Sequence, residues 1–443
     1  MTVTMKDWMW YFVRFWVRLA IKLFYRQIEV HGMETYPQSG PVFLAPNHQN
    51  AFMDALIPSA FAPRAIHFLA RSDVFDNKLL GAFMRSIHMM PVYRQRDGIA
   101  NLAKNEEIFQ RCHSILREGE TLLIFPEATH LGERRVRPLS KGFTRVLFGA
   151  LEGHEDLNIM VVPLGINYSH YHKSGSRLIV NYGKPIAVSA YYEAYRASAP
   201  RAMATLRMDV QNALAQEVVH LKGKEANDAF EVELERTVPY FLHRADSFSQ
   251  GSSVEMKFYK AREAQLNALP EGHPFFRRIK IYGSDMERRK LYAPFFFIAR
   301  KDPGYWVIQN LLLLMMLPVF LGSWLLMAPS YLLTRWVLTK YIVDKQFWSS
   351  IKLVAYLVLL PLFGFVFALI AALLSHRPFL TAVVVLVLYP VSVFVIRELR
   401  LPYRYVLTMW RGLWIEWRKP DLYKYLLSIE AEVLKAYVNL RSR

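Results

Sequence analysis

From about residue 28 to residue 188 the chain alternates short apolar runs with stretches of helical period. Val42–Ala45, Ile66–Ala70, Thr121–Phe125, Met160–Ile166 and Leu178–Tyr182 read as strands, because β-branched and aromatic residues cluster there between polar turns. Asn101–Arg117 has helical spacing and stops at Glu118-Gly119-Glu120. Strands that alternate with helices predict an α/β domain. Residues 201 to 300 are charged and helical in period, with a Ser/Gly-rich break at Ser247–Ser253 expected to be a loop. The last third is apolar on all faces: Trp306–Leu333, Leu353–Leu374 and Phe379–Ile396 each approach the ~20 residues that cross a bilayer. A basic aromatic tail runs from Arg397 to Arg443.

The first residues hold apolar side chains that Lys6, Arg14, Arg18, Lys22 and Arg26 interrupt, so they are not expected to form the core of a signal peptide. Arg14, Arg18, Lys22 and Arg26 fall four apart, and a helix sets them in one stripe, with Trp8, Phe12, Phe15, Trp16, Leu19 and Leu23 covering much of the rest. That pattern predicts an amphipathic helix over 1–27 lying on anionic lipid. The expected organisation is this interfacial helix, an α/β domain over 28–200, a charged helical region over 201–304, membrane-embedded helices over 305–400 and the tail over 401–443.

Composition supports the membrane reading. Of 443 residues, 53% are hydrophobic and the mean hydropathy is +0.12, too apolar for an ordinary soluble chain. A formal charge of +18 implies anionic partners. Basic residues interleaved with tryptophan, and the lack of a nucleic-acid-binding motif, favour membrane lipid over nucleic acid. The single Cys112 excludes an internal disulfide and a cysteine metal cluster.

Candidate chemistry lies in the α/β region. His48 follows the strand Val42–Ala45, and Asp54 lies far enough along for a turn to fold it back, a pairing suited to taking a proton from an alcohol. A second strand runs into Pro126 and Glu127, and the loop beyond carries Arg134, Arg135, Arg137 and Lys141. Guanidinium and ammonium groups clustered at a strand end suit a phosphate. Arg94, after Pro91-Val92-Tyr93, is a further candidate for the acceptor phosphate. Val161-Val162-Pro163-Leu164-Gly165-Ile166 reads as a buried strand with no chemistry of its own.

In order and spacing these four elements resemble the glycerolipid acyltransferase family, which includes lysophosphatidate and glycerol-3-phosphate acyltransferases. The matching stretches are Asn47-His48 to Asp54, Met90 to Arg94, Phe125 to His130 and Val161 to Ile166, within about residues 25 to 190. The resemblance implies a mixed sheet flanked by helices, here with a C-terminal helical membrane region. It also implies that His48 is the general base and Asp54 its orienting partner. Arg94, Glu127, Arg134, Arg135, Arg137 and Lys141 would then form the acceptor-phosphate site, and the acyl donor would be a thioester of coenzyme A or acyl carrier protein. No metal and no cofactor beyond that co-substrate are expected.

Three positions depart from the family pattern. Five residues separate His48 from Asp54 where four are common, a variant similar to some eukaryotic glycerol-3-phosphate and dihydroxyacetone-phosphate acyltransferases. Ala128 stands where the family has glycine, which argues against a left-handed turn. His130 replaces the arginine, so phosphate binding passes to the basic residues downstream. The alternatives are a remodelling transacylase that needs no thioester and a non-catalytic lipid-binding scaffold.

Charge also predicts topology. Arg335, Lys340, Lys345 and Lys352, together with the basic tail, place that loop, the tail and the catalytic domain on the cytoplasmic face. Leu353–Leu374 and Phe379–Ile396 then form a hairpin. Trp306–Leu333 is expected either to re-enter, broken at Pro318, Gly322 or Pro329, or to cross once.

Overall fold

In the computed structural model, residues 8–93, 104–128, 132–236, 251–291 and 303–438 are described. The chain divides into two compact units. The first comprises residues 1–172, 176–220 and 344–353, and the second 173–175, 221–343 and 354–443.

The first unit is the α/β domain. It opens with α1 (Trp8–Phe24) and β1 (Gln27–His31), followed by β2 (Val42–Pro46), α2 (Met53–Phe61), β3 (Ile66–Arg71), α3 (Lys78–Ser86) and β4 (Met89–Val92). Then come α4 (Lys104–Arg117), β5 (Thr121–Leu123), α5 (Gly142–Leu151), β6 (Met160–Tyr168), β7 (Arg177–Tyr182), β8 (Ile186–Ala187), α6 (Tyr192–Ala197) and α7 (Ala199–Glu217). The sheet order is β1-β7-β6-β2-β5-β3-β4, with β8 beside β6. β2, β3, β4, β5 and β6 run parallel, and β7 turns antiparallel against β6. The fold is therefore α/β with a mixed sheet and flanking helices.

β2 is central and wholly buried, the pattern of a parallel strand covered on both faces. One face is covered by Cys112, Ile115 and Leu116 of α4, by Phe143, Val146, Leu147 and Phe148 of α5, and by Leu206, Val210 and Leu214 of α7. Because α7 buries this apolar stripe in the sheet core, the unit runs on to His220, past the boundary expected at residue 200.

α1 is amphipathic, but its faces are distributed differently from the expectation. Trp10, Val17, Ala20, Ile21 and Phe24 are buried. Arg14 donates through Nη2 to the Ala62 carbonyl (2.5 Å), and Arg18 lies over the Phe61 ring. The basic stripe therefore flanks α2, and the outward row is aromatic and aliphatic: Trp8, Phe12, Phe15, Trp16 and Leu19. Arg18, Lys22 and Arg26 line a cleft of about 470 Å³ with Tyr25 and Phe61.

The second unit contains α8 (Lys224–Arg236), α9 (Gly251–Ala268), α10 (Pro274–Arg288), α11 (Pro303–Tyr341), most of α12 (Trp348–Leu373), α13 (Pro378–Arg418) and α14 (Pro420–Val438). A buried bidentate pair, Arg262 to Glu233 at 2.6 and 2.9 Å, ties α9 to α8. Residues 251–253, expected as loop, begin α9, and 247–250 lie outside the described residues.

α11, α12 and α13 are long and apolar enough to cross a membrane. Met327, Tyr389 and Val393 form an apolar cluster between α11 and α13, against which Tyr356 and Phe363 of α12 pack. α11 runs unbroken for 39 residues through Pro318 and Pro329, so the interruption expected for a re-entrant element is absent. Proline removes one backbone donor, and apolar helices packed on neighbours tolerate that loss. Residues 344–353, the end of the connection after α11 and the start of α12, belong to the α/β unit.

Candidate active site

The site is built at the carboxyl ends of β2 and β5, adjacent parallel strands. In such sheets side chains beyond the strand ends face a crevice. Asn47 extends β2 with its side chain: Nδ2 donates to the Ile166 carbonyl (3.1 Å) and Oδ1 accepts from Ile166 N–H (2.7 Å). His48 follows Asn47 at this strand end. Its ring stacks on Phe125 with centroids 4.0 Å apart, and its Nδ1 lies 2.9 Å from Asp54 Oδ2.

Asp54 is fully buried in the first turn of α2, where the helix dipole favours a carboxylate. Four groups converge on it. Gln49 and Asn50 each donate a backbone N–H to Oδ2 at 2.7 Å, Tyr168 donates its hydroxyl to Oδ1 at 2.5 Å, and the His48 ring completes the set. A carboxylate oxygen that already accepts two backbone N–H groups fixes the imidazole tautomer, with Nδ1 as donor and Nε2 as acceptor. The five-residue spacer makes its turn with Ala51 at φ +43°.

Glu127 closes the other side. It is buried, its Oε1 accepts from His48 N–H (3.4 Å), and Arg137 N–H also donates to its carboxyl. Burial pushes this carboxyl up to about 8, with the Asp54 charge adding to the rise and the backbone donors and the Arg137 charge opposing it. A largely neutral carboxyl can lie beside a bound phosphate without strong repulsion. Ala128, next in the chain, adopts φ +61° and is exposed. The left-handed turn that alanine argued against is thus present, held by Ala128 N–H donating to the Phe125 carbonyl and by Ser140 N–H donating to the Pro126 carbonyl.

The basic loop divides. Arg134 faces inward: it is 2% exposed, donates through Nη1 to the Tyr168 carbonyl (2.6 Å) and lies over the Tyr171 ring. Expected at the phosphate site, it instead braces the strand end that presents Tyr168. Arg135 pairs with Glu133 (2.8 Å), Arg137 is half-buried beside Glu127, and Lys141 is exposed just before α5. Arg94 and His130 lie outside the described residues. Cys112 is buried with its thiol pushed up to about 12 by desolvation, an inert structural sulfur.

Reading the sequence alone misses Tyr168 and Asn50. Tyr168 ends β6, two positions beyond the Val161–Ile166 run, and a buried phenol at a strand end is the available signal.

Residues 27–167 match the model of the Acyltransferase family. Among relatives, 1-acyl-sn-glycerol-3-phosphate acyltransferase of Bacillus subtilis is 28% identical over 115 residues, covering 26% of this chain and 53% of that protein. Glycerol-3-phosphate O-acyltransferase 1 of Saccharomyces cerevisiae is 33% identical over 81 residues, 18% of this chain and 11% of the relative. The chain thus spans about half or less of the length of these relatives. The crystal structure of the 1-acyl-sn-glycerophosphate acyltransferase PlsC from Thermotoga maritima aligns over 47% of this chain and 80% of its own, at 16% identity and a TM-score of 0.34. Residues 27–167 are thus an Acyltransferase-family domain. The relatives it matches act, by their names, on glycerol-3-phosphate and 1-acyl-sn-glycerol-3-phosphate.

Proposed function

We propose that this chain is a membrane-bound enzyme that moves a fatty acyl group from a thioester, of coenzyme A or acyl carrier protein, to a hydroxyl of glycerol-3-phosphate or lysophosphatidate in phospholipid synthesis. The observation that carries this reading is the His48–Asp54 pair at 2.9 Å beside the buried Glu127. His48 Nε2 takes the hydroxyl proton as the oxygen attacks the thioester carbonyl, while Asp54 stabilises the imidazolium. The C–S bond of the tetrahedral intermediate then breaks, and the thiolate takes the proton from His48. Arg137, with Arg135, Lys141 and Arg94, is the candidate for the acceptor phosphate. The positive loop and tail around the apolar helices support a catalytic domain on the cytoplasmic face, and anionic lipids are the partners its net charge favours.

The test is acyl transfer by the purified full chain in nanodiscs, with each thioester offered to each acceptor. Product from at least one pair, absent in His48→Ala, is expected. Transfer only between phospholipid and lysophospholipid would assign a remodelling reaction, and no transfer at all would leave a lipid-binding scaffold.

A further inference from the structure

The segment 344–353, the end of the connection after α11 and the first residues of α12, is part of the α/β unit, and Gln346, Ser349 and Lys352 each meet a loop there. Ser349 is fully buried, and its Oγ donates to Asn50 Oδ1 at 2.7 Å across 299 positions of sequence. Lys352 Nζ donates to the His172 carbonyl at 2.5 Å, and the Gln346 side chain lies against Gly132 in the basic loop.

Asn50 is held at four atoms, its carbonyl accepting from Met53 N–H (3.1 Å). Its N–H donates to Asp54 Oδ2 (2.7 Å), its Nδ2 to the Tyr171 carbonyl (3.1 Å), and its Oδ1 accepts from Ser349. The next residue, Ala51, is at φ +43°, a conformation costly for alanine that persists only where the surroundings over-determine it. Asn50, immediately before it, is fixed by those four hydrogen bonds, and one of them comes from the start of α12. Without the Ser349 hydroxyl, a buried acceptor would lose its partner at the residue whose amide fixes Asp54.

We propose that Ser349 is a positioning residue for the His48–Asp54 pair, acting through Asn50, so that the junction between the first two apolar helices sets the geometry of the base. The inference rests on the proposed function.

The experiment uses the full chain in nanodiscs. Ser349→Ala is expected to lower kcat on the order of tenfold, with KM for both substrates within about twofold and a displaced acidic limb of the kcat–pH profile. Ser349→Cys, close in volume and a weaker donor, is expected to fall between Ala and the native chain and stands in if the Ala variant does not fold. Because the effect passes through Asn50, Ser349→Ala/Asn50→Ala should be no slower than Asn50→Ala alone. A readout independent of turnover is the Nδ1 proton resonance of selectively labelled His48, expected to shift in Ser349→Ala. Native kcat and resonance in a folded variant, or losses that multiply in the double variant, would overturn the proposal. If the native chain transfers no acyl group but the resonance still moves in Ser349→Ala, the functional reading fails and the coupling stands.

Discussion

The loop after β2 and the loop after β5 leave the carboxyl ends of adjacent parallel strands in the middle of the sheet, yet they are built on opposite plans. In the first, Asn47, Gln49, Asn50 and Asp54 are all buried and tied by short hydrogen bonds, leaving His48 little rotational freedom. The second begins with a buried carboxyl, then passes through an exposed alanine and ends in half-buried or exposed cations, apart from Arg134. Proton transfer needs atoms fixed within fractions of an ångström, and rigidity supplies that. Holding a phosphate needs charge and reach, which flexible cations provide.

The two loops should therefore fail in different observables. The largest effect is expected at the dyad: His48→Ala should abolish turnover, and Asp54→Asn should lower kcat by more than about a hundredfold, with acceptor KM little changed. A well-folded His48→Ala protein with near-native kcat would break the comparison at its rigid end.

Next is Glu127, where the two loops meet. Its carboxyl lies at about 8 in the fold against an ordinary 4.5, so the folded state favours the neutral form. The stability it contributes is complete below its ordinary value and is lost as pH rises through 8, a change of a few kcal/mol. Glu127→Gln should therefore flatten the fall in thermal midpoint over that interval. An unchanged fall would assign the pH dependence to another group.

The basic loop should respond in binding. Arg137→Gln is expected to raise KM for the phosphorylated acceptor roughly tenfold and leave the thioester KM within about twofold. Arg134→Gln should instead lower the thermal midpoint, because its loss leaves buried carbonyls unpaired. Equal effects of Arg137→Gln on both substrates would mean that the loop only meets anionic lipid. The smallest expected effect is a gain: Ala128→Gly should stabilise the protein by roughly 1 kcal/mol, the cost of a left-handed alanine. A loss of stability there would show that the alanine methyl is used in packing.

The parts of this molecule that could be read in the sequence are those whose cause is local. The strand Val42–Ala45, the helix ending before Glu118-Gly119 and the three apolar helices follow from residue type within one window. The pairing of His48 with Asp54 could be read because a motif fixes both. Other features depend on remote contacts. Arg134 looks like any cation in a basic loop until β6 brings the Tyr168 carbonyl to it. The tilt of α1, which sets Arg14 and Arg18 against α2, depends on Ala62 and Phe61. α11 continues through two prolines because its neighbours supply packing that propensity ignores. Ala128 adopts a positive φ that its residue type disfavours, held by the turn around it.

The outward row on α1 has a consequence for orientation. From Trp8 to Leu19 it extends for about 16 Å along the helix, and the same helix is fixed in the domain by Trp10, Ile21 and Phe24. A single greasy point lets a body pivot, whereas a line of rings resists both roll and pitch, as a keel does. Laid on a bilayer, the α/β unit would hold one attitude, maintained by apolar wetting that added salt does not screen. Tyr25, directly after this keel, packs on Tyr168, which donates to Asp54. A lipid-borne acceptor diffusing in the plane would then meet the base by a two-dimensional search at constant height.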